Sequence, residues 1–139
     1  MKKFLNVSLR TPNDLVYKEL NRYPVKINFV VSCVRYWLKL LHMSDERLPR
    51  KAYSMLFDMD TKDKITWATH VRKCLFQNGF GYVWVQQGVG NVKAFLTVFR
   101  QRLIDCHWQI LNEHICTSER LSVYSSFSCS SSMVLPKYL

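Results

Sequence analysis

Glycine is scarce in this chain. All four glycines fall in one stretch, GFGYVWVQQGVG at 79–90. Their spacing does not give G-x-G-x-x-G, and no predicted strand leads into them, so a dinucleotide-binding turn is excluded. No P-loop and no Gly-x-Ser-x-Gly occurs either. Acids are also few, 10 against 20 basic residues, which leaves a net charge of +10. No long apolar run is present. The most apolar stretch, Ile27 to Val34, is interrupted by Asn28 and Ser32 and closed by Arg35. It falls far short of the roughly 20 residues that span a bilayer, so no membrane partner is expected. MKKFLNVSLR carries two lysines and no apolar h-region of a secretory signal. The cysteines (Cys33, Cys74, Cys106, Cys116, Cys129) are odd in number and widely spaced. Reduced thiols in an intracellular protein, nuclear or cytoplasmic, are the expectation.

What is present suits a packed fold. With 139 residues, 48% of them hydrophobic, the chain is long enough to bury about two-thirds of its unfolded surface. The basic excess suggests a polyanion partner, most often nucleic acid.

Local signals mark helices. In RTPNDLVYKELNRYP (10–24), Thr11 is a good N-cap, Pro12 suits the first helical position, and Asn21 can take the left-handed conformation that stops a helix. Pro24 opens a second helix. Its polar positions Asn28, Ser32, Arg35, Lys39 and His42 form one narrow stripe, and the rest is almost all apolar. It is expected to be the central helix, near 25–42, with Trp37 in the core. Pro49 starts a third, with Ala52, Tyr53, Leu56 and Phe57 on one face, and Asp58 to Lys64 reads as a charged connection. Thr66 caps a fourth, with Trp67, Val71, Cys74 and Leu75 on its apolar face and Gly79 as its stop. Asn91 caps a fifth, long helix near 91–115. Its apolar positions Val92, Phe95, Leu96, Phe99, Leu103, Cys106 and Ile110 keep helical period. A short last helix runs from Ser118 to about Phe127. The segment 79–90 reads as a compact loop, a short extended piece, or a helix that begins despite Gly81. The expected fold is an all-α, irregular bundle of five to six helices with a glycine-rich loop near 79–90. Residues 1–127 form the helical domain, and 128–139 a flexible Ser-rich tail.

Catalytic and metal constellations are weak. Asp58 and Asp60 make an isolated Asp-x-Asp without further ligands. Cys106, His107, His114 and Cys116 are zinc-type residues, but His107 and His114 lie two helical turns apart, about 10 Å, too far for one tetrahedral ion. His70 and Cys74 make only half a site. No catalytic residues, metal site or cofactor are expected. The basic residues point further. Arg35, Lys39 and His42 share the polar stripe of the second helix. Arg72 and Lys73 lie on the fourth, and Lys93 and Arg100, followed by His107 and His114, recur every seven residues on the fifth. Such faces neutralise phosphates, which positions a nucleic acid without reading its bases. Tyr36, Trp37, Tyr82, Trp84 and Trp108 are rings that could stack on bases, Tyr82 and Trp84 being the best placed.

At TPNDLVYKELNRYPV, YWLKLL, GFGYVWVQQGVGN and FRQRLIDC the chain resembles the region downstream of the reverse transcriptase domain in animal non-LTR retrotransposon proteins. Those proteins run T-P-N-x-x-V-Y-x-E-L-G-R-x-P, then a Tyr-Trp pair, Leu-Pro-Arg-Lys, a helix with Trp, and G-x-G-x-x-W. The matching residues are Thr11, Pro12, Asn13, Val16, Tyr17, Glu19, Leu20, Arg22 and Pro24, then Tyr36 and Trp37, Leu48 to Lys51, Trp67, Gly79, Gly81 and Trp84. The likeness covers about residues 1–127. Asn21 stands where glycine is usual, and it preserves the left-handed stop. The resemblance implies a piece of a longer reading frame that begins after the polymerase. The Tyr-x-Asp-Asp motif is absent, so no polymerase activity is implied. It implies an accessory helical region beside a polymerase and its nucleic acid, surviving as a domesticated copy or a degenerate remnant.

Two functions follow. One is a module that contacts nucleic-acid backbone, RNA or DNA, without sequence preference. The other is an interaction module whose apolar surface packs against a reverse transcriptase domain. The first expects the basic faces to merge into one patch, and the second a contiguous exposed apolar patch.

Overall fold

The computed structural model describes residues 2, 3 and 5–128. Among these every regular element is helical: α1 (Asn13–Glu19), α2 (Val25–Leu41), α3 (Leu48–Thr61), α4 (Trp67–Gln77), α5 (Gly81–Val85), α6 (Val92–Thr117), a 3-10 turn (Glu119–Leu121) and α7 (Ser122–Ser128). The all-α expectation holds. None of these helices is long and apolar enough to cross a membrane. The tail expected to be flexible lies, beyond Ser128, outside the described residues.

The helix ends explain much of the chain path. Four helices close with the same double hydrogen bond, in which the amides after the helix return to carbonyls of its last turn. After α1, Asn21 N–H reaches Lys18 O (3.1 Å) and Arg22 N–H reaches Tyr17 O (3.0 Å). Asn21 adopts φ 48°, as the sequence predicts. Asp63 (φ 57°) does the same after α3, Gly79 (φ 84°) after α4 and Gln87 (φ 49°) after α5. At the other end, Asn91 Oδ1 accepts the Ala94 amide at 3.0 Å and caps α6. Thr69 Oγ1 accepts the Thr66 amide at 2.9 Å and tightens the start of α4.

Three local expectations are corrected. The residue before α1 is Pro12, with no side-chain cap bond, so Thr11 is not its cap. The helix α3 runs through Asp58 and Asp60 to Thr61, and these acids are helical rather than part of a loop. Ala52, expected inside with Tyr53, is exposed. In the glycine-rich segment, Gly81 opens the short helix α5 between turns. The Phe76 ring lies where a Cβ at Gly81 would stand, 2.8 Å away.

The chain forms two compact units. One is Val25–Leu103; the other joins Met1–Pro24 with Ile104–Leu139. In the first, α2 packs on α3 and α4, and α4 on α3 and α5. Its core gathers Val34, Trp37, Leu38, Leu75, Val83 and Phe99, all fully buried. Trp37 stacks on Trp84, with ring centroids 5.4 Å apart and planes at 20°. A hydrogen-bond chain secures this stack. Trp37 Nε1 donates to Tyr53 Oη (2.9 Å), which donates to Gln87 Oε1 (2.7 Å), while Gln87 Nε2 donates to Trp84 O (2.6 Å). The left-handed backbone of Gln87 costs roughly 1–2 kcal/mol. Its two side-chain bonds offset that, at about 1 kcal/mol each. Burial pushes the Tyr53 hydroxyl above its usual range, against the lowering effects of Trp37, Arg50 and Gln87.

The second unit has a smaller core of Leu111, Ile115 and Leu121, with Leu15, Tyr17, Trp108 and Tyr124 packed against it. Ile110, expected in the apolar stripe, is exposed. Ile110 follows Val92 by five full turns of about 3.6 residues each, so it stays on the face of the stripe. In this part of α6 that face is open to solvent, and the buried positions are Leu111 and Ile115.

Candidate nucleic-acid interface

Charge is unevenly divided. The Val25–Leu103 unit carries 13 Lys and Arg against 5 Asp and Glu; the other unit carries 7 against 5. The first unit thus has a net +8 and the second +2.

On α2 the predicted stripe is real. Asn28, Ser32, Arg35 and Lys39 are exposed along one face, and His42 is exposed just beyond the helix end. The ring of His42 is held by a 2.7 Å bond between Nδ1 and Leu38 O. Beside the stripe runs an apolar strip, of which Phe29 was expected inside. Val25 (80% exposed), Phe29 (68%) and Tyr36 (48%) face solvent. At 100° per residue they adjoin the stripe, so α2 shows water a basic band and an apolar band side by side. The adjacent Tyr36 and Trp37 are split by this geometry: one ring faces out, the other is fully buried.

Tyr36 meets Trp67 of α4 edge to face, at 6.0 Å and 64°. The pair lines an open groove of about 350 Å³ with Leu40 of α2 and Pro49, Ala52 and Leu56 of α3. Neither α2 nor α4 contains an acidic residue. On α4, His70 and Lys73 are exposed.

Two of the predicted residues are placed differently from expectation. Arg72 is committed to Asp60: its Nε and Nη2 donate to the two carboxylate oxygens at 2.8 and 3.2 Å. Burial raises the Asp60 pKa, but hydrogen bonds from Thr69 and Arg72 and the charges of Arg72 and Lys73 outweigh it and hold the carboxyl below its usual range. A forked pair like this fixes α4 on α3, so Arg72 serves the fold rather than a phosphate. Trp84 is 7% exposed and covered by Trp37 and Phe57. No base can stack there, and Trp84 is withdrawn as a stacking ring.

The remaining predicted residues are at the surface. Tyr82 is exposed on α5 and, with Phe80, Ala94 and Val98, lines a second open groove. Lys93, next in sequence to Ala94, and Arg100 are exposed on α6. The sequence reading missed Phe29 and Trp67. Phe29 looked like core because its helix is apolar over most of its circumference. The signal that could have found it is its place three and four residues from Ser32 and Val25, next to the polar stripe. Trp67 at the first position of α4 looked like a core ring; it is only half buried.

On the outer side of α3, Leu48, Ala52, Met55 and Met59 are exposed at intervals of four, three and four. They make an apolar stripe on one helical face. Among the described residues no group of three or more His, Cys, Asp and Glu comes together to hold a metal. Compared with known protein families, curated proteins and solved structures, the chain matches none.

Proposed function

We propose that this chain is a non-catalytic accessory module that grips nucleic acid by its phosphate backbone, without sequence preference. On this reading it corresponds to the post-polymerase region of non-LTR retrotransposon proteins and works inside the cell. The observation that carries the reading is the charge of the Val25–Leu103 unit, 13 basic residues against 5 acidic. Arg35 and Lys39 stand on an exposed helical face free of acids. Phosphate neutralisation releases counterions and needs no more than such a face. The test is a binding titration with single-stranded RNA and with duplex DNA of unrelated sequences, from about 50 to about 200 mM salt. Affinity should fall steeply with salt and vary little with sequence. No binding at the lower salt would end the proposal. The purified chain should neither extend a primer nor cut nucleic acid in the presence of magnesium.

The apolar stripe of α3 favours a second reading, a module that packs against a protein such as a polymerase domain. Exposed Met55 is 67% accessible, and flexible methionines suit adaptable protein surfaces. Met55→Glu should abolish such an association while leaving nucleic-acid affinity within about twofold, since one rim charge alters a salt slope by at most about one contact.

A further inference from the structure

The groove between α2, α3 and α4 has features that backbone contact alone does not use. Its two rings, Tyr36 and Trp67, come from helices without a single acidic residue. Tyr36 is half exposed, so an aromatic face is open to solvent rather than spent on the core. Lys39 lies one turn from Tyr36 and Arg35 beside it, both exposed. Arg50, on α3, stands 5.7 Å from the ring centroid of Tyr53, which also lines the groove. Its Nε is paired with Asp45 at 3.1 Å, but its buried Nη1 has no hydrogen-bond partner among the described residues. An exposed ring with the exposed cations Arg35 and Lys39 next to it on the same helix is the chemistry of single-strand binding: rings stack on bases while cations follow phosphates.

Resting on the backbone-contact reading above, we infer that the Tyr36–Trp67 groove seats an unpaired base of a single-stranded nucleic acid, with its phosphates running along Arg35 and Lys39. Charge complementarity selects this occupant over an apolar protein segment. A duplex is a poor occupant, because its bases are already stacked and freeing one costs a few kilocalories per step. Stacking is tolerant of base identity, so the groove confers a strand preference rather than a sequence preference. Of the rings the sequence offers for stacking, Tyr36 takes this role, and the buried Trp84 does not.

The experiment compares Tyr36→Ala with the unaltered chain by fluorescence anisotropy, using a uridine homopolymer and a duplex of the same length. Tyr36 is half exposed, so its truncation leaves the core intact, which an unchanged melting temperature verifies. The single-strand Kd should rise roughly 5- to 150-fold, the range of one lost base stack. The duplex Kd and both salt slopes should stay put, and Tyr36→Phe should restore single-strand affinity. Trp67→Phe should remove most of the fluorescence quenching caused by the homopolymer. Equal loss on both nucleic acids, or no loss on either, overturns the stacking groove and leaves the backbone reading standing. Failure of the unaltered chain to bind either nucleic acid overturns both and hands the groove to a protein partner.

Discussion

The two units are held by different physics. The Val25–Leu103 unit is built on burial: stacked indoles, a sealed hydrogen-bond chain and a forked ion pair. Among the described residues the other unit buries few hydrophobic side chains, Val16, Leu111, Ile115 and Leu121, and is knit by polar contacts between α1, α6 and α7. Tyr124 Oη donates to Glu19, Lys18 lies 5.7 Å over the Tyr124 ring, and His114 stands 3.7 Å from Asp14. His107 meets Tyr17 edge to face at 6.0 Å, and its buried Nε2 has no hydrogen-bond partner among the described residues. The basic surplus sits on the better-packed unit. A rigid scaffold under the charged faces is what a phosphate-binding surface requires, because fixed cations lose less freedom on binding.

The contrast predicts a graded set of responses. Trp37→Ala should have the largest effect, about 3–5 kcal/mol, because it empties the stack on Trp84 and strips Tyr53 of its donor. Trp37→Phe keeps a ring and loses the N–H, and should cost less than the alanine variant. Thermal unfolding measures both, and a melting temperature indifferent to Trp37→Ala would show that the stack is not the centre of this unit.

Asp60→Asn comes next, at about 1.5–3 kcal/mol for the lost charge-assisted bonds. The pH dependence has a definite sign. Because the folded state holds Asp60 below its usual pKa, its contribution is present above about pH 4 and vanishes as pH falls through the depressed value. In Asp60→Asn this acid-labile increment should be missing from a denaturation series.

The second unit should respond nearer neutrality. Burial lowers the His107 pKa, and the charge of Asp14 only partly opposes it. The unfolded chain therefore binds the proton more readily. Stability of this unit should drop as pH falls below about 6.5 and level off at the lower, folded value. Proton NMR of the histidine rings follows this directly, and His107→Gln should flatten the profile. The smallest effect is in local opening: amides of α1 and α7 should exchange faster than those of α2 and α4. Equal protection in both units would dissolve the contrast.

Legibility in the sequence followed the range of the interactions. Asn21, Gly79 and Asn91 end or start helices by contacts within a few residues, and all three were readable. The burial of Trp37 was readable because its helix is apolar on several sides. Tertiary choices were not. Nothing local tells that Asp60 will meet Arg72 12 residues on, which turns a nominal phosphate ligand into a structural one. Nothing local assigns Trp84 to the core and Tyr36 to the surface, since both are aromatic neighbours of apolar residues. The stripe of Arg35, Lys39 and His42 survived because nothing packs over it.

The most direct test of the charge account is the salt slope of the Arg35→Ala/Lys39→Ala double variant. Each neutralised phosphate contributes about −0.7 to the log–log slope on single strands and about −0.9 on duplex. The double variant should therefore be shallower by one to two such increments on any sequence. Arg120→Ala, an exposed cation of the other unit, should leave the slope unchanged. A slope that ignores the double variant would contradict the account and reduce the surplus charge to a solvated surface.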